Sequence, residues 1–430
     1  MAKYFSTDEK SKSYYLSKEN VSNPAKIVVN NSDMRGVYTH SSADFNDMVK
    51  VVKKHLKSGL SQTTDITKSA DEVWKNALKT RSIYFTYPVS YDTKTFSAIL
   101  DTPIKALDGG EVQEFIIFSG DTITGKPHLF VKVPGEEGCT DITLSADSVE
   151  LDSLIERYAL SSAGEYPYSF ELNFDKTAEN TEQKLTIDSP VILSIKPITA
   201  PTVSEINYFE DIAENDELYT KFLKSFGFNA SNIRKNVNPD KTIIFAENYG
   251  TIKMHPDGLL EFRALNNSKG IERGNSEEFY DTFIDCIEFV NNVWDTACHE
   301  ENMDINLSSV KPGEAGNSVV ITIDYYAEGM EVATRLDATD SHTQLSHAIE
   351  IEVANSRITS YRQDVRGYRS KGEVAECTGV IEALDTLMAN ESIKSDKITN
   401  LYRAYFSENG DDCSPCWVAK TAKNEIRIIK

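Results

Sequence analysis

The chain contains no apolar run of the roughly 18 residues needed to cross a bilayer as a helix, so no membrane-spanning helix is expected from it. Its start is also missing something. Met1, Ala2 and Lys3 lead into the charged stretch 4–10, which lacks the apolar centre of a signal peptide; read alone, this start implies a cytosolic protein. Excess positive charge is absent as well. Against 67 Asp and Glu stand only 45 Lys and Arg, a net charge of −22. Such a surface opposes nucleic acid and anionic lipid, and it keeps a chain soluble. No short-period repeat is visible, which excludes solenoids and propellers. Neither a HExxH pair nor a GxSxG elbow is present.

Cysteine is sparse. Cys139, Cys286, Cys298 and Cys377 are scattered without ligand spacing, and only Cys413 and Cys416 form a CxxC. A zinc ribbon needs a second such pair. A thioredoxin-type site opens a helix after a strand, whereas this motif follows the loop-like residues 408–412 and precedes the strand-like Trp417-Val418-Ala419. The pair is read as structural or incidental, with a small Cys413–Cys416 disulfide as the bond it could form.

What is present is ample apolar material. Hydrophobic residues make up 40% and aromatics 10% of 430 residues, enough for several packed cores. Strands are expected over 26–30, 83–89, 114–118 and 129–133, and helices over 44–57, 66–80, 92–100 and 148–158. Pro197 and Pro201 suggest a linker. Beyond it, Asn215 or Asp216 caps a helix to Phe226, and Gly227 ends it. Residues 242–254 and 259–265 form a hairpin across His255-Pro256-Asp257-Gly258. Asn275 with Glu278 resembles a capping box for a helix whose stripe includes Phe279, Phe283, Cys286, Ile287, Val290, Val293, Trp294 and Ala297. Strands follow at 318–326, 346–353 and 357–362, a helix at 375–390, then strands at 398–406, 416–421 and 425–429. The irregular alternation indicates an α+β, multidomain fold, antiparallel sheets each packed against helices, with the last two domains similar to each other. The expected boundaries are 1–199, 200–306 and 307–430.

Chemistry is hard to find in this pattern. Residues 120–127, Gly-Asp-Thr-Ile-Thr-Gly-Lys-Pro, nearly spell a phosphate-binding loop, but proline stands where Ser or Thr must hold magnesium, and a strand follows instead of a helix. His342 and His347 are five apart on a strand-like segment, so a zinc site would have to be made by the fold. Cys298 and His299 adjoin in sequence, yet neighbours on a helix diverge. Glu277 with Asp281, and Asp281 with Asp285, share a helix face, as expected by chance at this acidity. Asp304, Glu408, Asp411 and Asp412 lie in no calcium-loop spacing. No catalytic, cofactor or metal residue is assigned, and no enzyme activity is expected.

Three stretches carry a family resemblance. The first holds the helix end Phe226-Gly227-Phe228-Asn229, the strand Ile243-Ile244-Phe245-Ala246-Glu247-Asn248 and the Pro256-Asp257-Gly258 turn. The second pairs Leu401-Tyr402-Arg403-Ala404-Tyr405-Phe406 with Pro415-Cys416-Trp417-Val418-Ala419, and Ile83-Tyr84-Phe85-Thr86-Tyr87-Pro88 is a looser third. Together they resemble the YycH/YycI family, the longer three-domain YycH more than YycI. The resemblance implies a Gram-positive, extracytoplasmic protein held to the cell membrane by an N-terminal anchor that this chain does not carry. It further implies regulation of a cell-wall sensor histidine kinase (WalK/YycG), together with a YycI-like partner. It implies no cofactor. Two other readings stand beside it: a surface module sensing a peptide or wall fragment, suggested by 20 tyrosines, and a secreted glycan hydrolase, suggested by the abundant carboxylates.

Overall fold

A computed structural model of the chain describes residues 16–39, 42–120, 125–145, 148–171, 186–187, 195, 198–231, 233–273, 279–297, 303–313, 318–333, 345–389, 397–406, 412–421 and 426–429. Among them lie two sheets and eight α-helices, an α+β architecture of mainly antiparallel sheets packed on helices.

The first sheet is built where apolar residues run without alternation. Ile27, Val28 and Val29 are all buried, which requires both faces of their strand to be covered. Helices Phe45–Leu60, Thr93–Leu100 and Val149–Tyr158 supply one cover, packing Met48, Val52, Leu56 and Phe96 on Ile27, Val29, Phe85 and Phe115. Helix Asp71–Leu78 and the residues around Tyr168 supply the other, through Trp74, Leu78, Tyr84 and Ile116. The strand order is Ile66–Ser69, Cys139–Thr143, His128–Lys132, Glu111–Phe118, Ser82–Asp92, Lys26–Asn31, Met34–Thr39, Ser161–Ser162. Arg35, 1% exposed at its side chain, pins the second cover. Its guanidinium donates to Asn30 Oδ1 at 2.9 Å and to both Glu171 oxygens at 2.9 and 3.1 Å, and lies 4.0 Å from the Tyr168 ring centre.

The second sheet begins with Asn236–Val237, Ile243–Ala246, Gly250–Met254, Leu259–Ala264, Arg357–Asp364, Ile349–Ala354 and Ser318–Ala327. It continues through Met330–Val332, Lys397–Phe406, Asp412–Thr421, Ile198–Asn207 and Arg366–Cys377. Strand Met303–Pro312 pairs with Ser318–Ala327, so position 306/307 falls inside a strand. Helices Asp216–Ser225 and Phe279–Ala297 cover one face, the latter burying Phe283, Cys286, Ile287, Val290, Val293 and Trp294 as its stripe predicts. Helix Val380–Ala389 packs Val380, Leu384 and Leu387 on Leu401 and Trp417. The two sheets share a continuous core: the Tyr91 and Phe283 rings meet at 6.3 Å, and Asn291 donates to the Leu16 carbonyl at 2.9 Å.

Five expectations need correction. The helix expected over 66–80 is a strand, Ile66–Ser69, followed by a shorter helix, Asp71–Leu78. The β-branched Ile66 and Thr67 pair with residues 141–142, a tertiary gain that overrides the helical pattern. The linker at 197–201 is largely strand, Ile198–Asn207. Pro201 is tolerated there because the ladder slips between Pro201 and Val203, as prolines at bulges allow. Residues 242–254 are two strands, since Glu247-Asn248-Tyr249 turns back, with the Glu247 N–H on the Gly250 carbonyl at 2.9 Å. The helix expected over 375–390 starts at Val380, because residues up to Cys377 extend the strand paired with 198–207.

The fifth concerns Cys413 and Cys416. Both lie inside strand Asp412–Thr421 and are carried as buried thiols. Alternation sends them to opposite faces, into different apolar clusters. Three residues of strand separate Cα atoms by about 10 Å, beyond the roughly 7 Å that a disulfide spans. Cys416 instead donates to the Ala404 carbonyl at 3.4 Å. The Asn275–Glu278 cap, Glu277, Cys298, His299, His342, Glu408 and Asp411 lie outside the described residues.

Candidate functional site

The stretch that carries the resemblance is architectural, and its parts converge on one half-buried arginine, Arg366. The helix Asp216–Ser225 ends with Gly227 at φ +77°. The Phe228 N–H reaches the Leu223 carbonyl at 2.8 Å and the Gly227 N–H reaches Lys224 at 3.0 Å, the paired bonds of a Schellman end. This aims Phe226 at Phe262, Phe289 and Tyr361, with ring centres 5.7, 5.2 and 5.3 Å away. The turn closes with the Gly258 N–H on the His255 carbonyl at 3.0 Å. Gly258 has φ +105°, and a Cβ there would sit 3.0 Å from Asp364 Oδ1, so glycine is needed for conformation and for space.

Arg366 holds that turn. Its Nε donates to the Asp364 carboxylate at 2.8 and 2.9 Å, Nη1 donates to Glu205, and Nη2 donates to the Asp257 carbonyl at 2.5 Å. Asn207 adds a bond to the Pro256 carbonyl at 2.8 Å. One guanidinium therefore joins three distant segments, 205–207, 256–258 and 364–366. It also faces two carboxylates with one positive charge. Burial, with Glu205 and Asp257 nearby, pushes Asp364 up to about 6 against the pull of Arg366.

From this lock a polar face spreads across the sheet, opposite the helices. Ile252, Phe262, Tyr361, Ile351 and Ile321 face the core, so the residues alternating with them face away. Ladder registers align Lys253, Glu261, Arg362, Glu350, Thr322 and Ser309 in one row across six strands. Charges alternate over its first four members, and Thr322 and Ser309 end it with hydroxyls. Arg362 lies 3.7 Å from Glu261 and 3.4 Å from Glu350, His255 meets Glu261 at 3.1 Å, and the Ser309 and Thr322 hydroxyls touch at 2.7 Å. Such cross-strand pairs contribute about 0.2–1 kcal/mol each.

The row ends beside a buried acid cluster. Asp324 accepts from His347 Nδ1 at 3.0 Å. Burial raises its carboxyl, but the His347 bond and charge outweigh that and hold it below its ordinary range. Glu331 accepts from Tyr402, and Lys420 Nζ stands 3.8 Å away. Burial and the Asp324 charge raise the Glu331 carboxyl, despite Lys420 and Tyr402. The alternating pattern of the sequence identified neither Asp324 nor Glu331, because their strands pair only in the fold.

The residues weighed from sequence do not assemble. Asp281 is exposed on its helix and Asp285 stands one turn on. His347 meets Asp324 rather than a second histidine. Residues 128–132 after the phosphate-loop lookalike form a strand paired with Glu111–Phe118. Asp304 is pushed up to about 6 by burial. No three His, Cys, Asp or Glu side chains converge as metal ligands among the described residues. Tyr87, Tyr91, Tyr168, Tyr325, Tyr361 and Tyr405 are fully buried, and the large exposed hydrophobics among the described residues include no aromatic. The open clefts among the described residues include two. One of about 420 Å³ lies at the edge of the first sheet, lined by Ile66, Lys68, Asp108, Val133 and Glu136 among others. One of about 270 Å³ lies by Arg263, Asn266, Glu352 and Ser360.

No protein-family profile matches the chain, and no curated protein matches its sequence. Among solved structures, the crystal structure of YycH from Bacillus subtilis aligns over 95% of this chain and 97% of that one, with a TM-score of 0.56 and 12% identity. The C-terminal domain of YpeB from Bacillus megaterium aligns over 51% of this chain and 97% of its own, with 9% identity and a TM-score of 0.25. The first alignment establishes a shared fold.

Proposed function

We propose that this chain is a regulatory protein that acts by binding other proteins. It modulates a cell-wall sensor histidine kinase together with a YycI-like partner, on the outer face of a Gram-positive membrane, held there by an N-terminal anchor. The observation that carries this reading is the fold shared with YycH over 95% of the chain, taken with the turn of the resemblance being gripped by Arg366. The alternating row from Lys253 to Ser309 supports contact with a partner, since interspersed charges set orientation and specificity more than raw affinity. The buried tyrosines speak against a sensing groove lined with aromatics.

The test is co-purification. The chain, fused to its anchor helix and expressed with the sensor kinase and the YycI-like protein, is expected to be recovered from solubilised membranes with at least one of them. Absence of any association overturns the reading.

A further inference from the structure

Among the described residues, the strand Ile66–Ser69 is the outer edge of the first sheet and pairs with Cys139–Thr143 alone. Its register fixes which main-chain groups remain open. The Thr143 N–H bonds the Asp65 carbonyl at 3.0 Å, so residues 65 and 143 form a bonded pair. Bonded and non-bonded pairs alternate in an antiparallel ladder. Thr67 and Ser69 therefore turn their N–H and C=O groups inward, and Ile66 and Lys68 turn theirs outward. No described residue meets these outward groups.

The cleft of about 420 Å³ lies along this edge, between the strand and residues 106–110. Its apolar lining is Ile66, Ala106, Leu107 and Val133; its charged rim is Lys68, Asp108 and Glu136. Lys68 is committed to Glu136 and to Thr140 Oγ1 at 3.1 Å. Asp108 is exposed and makes no ion pair among the described residues. A short strand carrying a lysine is also how proteins blunt a sheet edge against aggregation. Here the lysine is turned onto its own sheet, and a groove accompanies the open backbone.

We propose that this edge is a strand-addition site. An extended peptide segment of another protein pairs with Ile66 and Lys68, places an apolar side chain over Ala106, Leu107 and Val133, and sets a lysine or arginine against Asp108. This is the chemistry of β-augmentation: main-chain bonds give affinity, and alternate side chains give specificity. The inference goes beyond the kinase reading, since such a site would exist whether or not the chain regulates a kinase.

The probe is a displayed library of random twelve-residue peptides panned on the whole chain, with selected peptides synthesised and their Kd measured by fluorescence polarisation. The selected pool is expected to combine alternating apolar positions with a basic residue, and amide exchange at Ile66 and Lys68 is expected to slow on binding. Lys68→Pro removes one outward N–H without touching the bonds to 139–143, and should weaken binding about tenfold, the worth of one main-chain hydrogen bond. Asp108→Lys should weaken it by a similar factor. Lys68→Ala should change it less than about threefold, as befits an exposed charge. Failure to select any binder, protection elsewhere than residues 66–68, or binders indifferent to both Lys68→Pro and Asp108→Lys would each overturn the proposal. The exchange measurement needs no variant and decides the matter if Lys68→Pro does not fold.

Discussion

Arg35 and Arg366 do the same mechanical work in the two sheets, yet with opposite charge balance. Arg35 is buried and Arg366 half-buried, and each pulls a segment distant in sequence onto a strand end. Arg35 meets one carboxylate, Glu171, through two parallel bonds. Burial pushes Glu171 up, but the Arg35 and Tyr168 N–H bonds more than offset it, and its carboxyl sits below the ordinary range. Arg366 meets two carboxylates, and the excess negative charge leaves Asp364 raised to about 6. A matched pair makes a closed clasp; a mismatched one makes a joint whose strength depends on protonation. The mismatched joint is the one under the Pro256-Asp257-Gly258 turn.

The comparison is broken most severely by removing either cation. Arg366→Ala strands two carboxylates and should cost about 3–5 kcal/mol, with Arg35→Ala toward the lower end because only Glu171 is left behind. Denaturant midpoints of the two variants check this, and equal losses would erase the distinction. Gly258→Ala tests the turn rather than the charge. Its φ of +105° and the 3.0 Å approach to Asp364 should cost about 2 kcal/mol, read from the same unfolding curves.

Acidity sharpens the contrast. The folded state holds a proton on Asp364 more tightly than the unfolded chain does, so stability present below about pH 4 falls as pH rises through about 6, by about 3 kcal/mol. Glu171 has the opposite sign: its contribution is present above its ordinary range and is lost as pH falls through its lowered folded value. Unfolding free energies between about pH 2 and 8 should lose the first slope, above about pH 4, in Asp364→Asn and the second, below about pH 4.5, in Glu171→Gln. The smallest effect is expected at Asp304, raised to about 6 by burial. Asp304→Asn should stabilise by about 1 kcal/mol at pH 8, after discounting for residual exposure, and by nothing at pH 4. A thermal melt at each pH decides it.

Much of the fold was readable because several signals agree locally. Asn215 does cap its helix, with Oδ1 on the Leu218 N–H at 3.1 Å, and Gly227 does end it. The stripe from Phe283 to Trp294 is core. Two of the failures share a cause, since partner strands distant in sequence decide between helix and strand. Ile66–Ser69 differs from the expected helix because its partner is 139–143, and 375–377 because the strand they end pairs with 198–207. The functional surfaces follow the same logic. Arg362 and Glu350 carry no local signature, and they form a row only when register places them opposite each other. The open edge was hidden by the same misreading that made it a helix.

The central claim, regulation through protein contact, is tested most directly by kinase activity in lipid vesicles. The sensor kinase is reconstituted with the YycI-like partner, with and without this chain fused to an N-terminal membrane anchor, and the rate of autophosphorylation is measured. The account predicts a rate that changes several-fold on adding the chain and returns toward the starting value when the row is disrupted by Arg362→Glu. An unchanged rate with all three proteins present in the same membrane would contradict it.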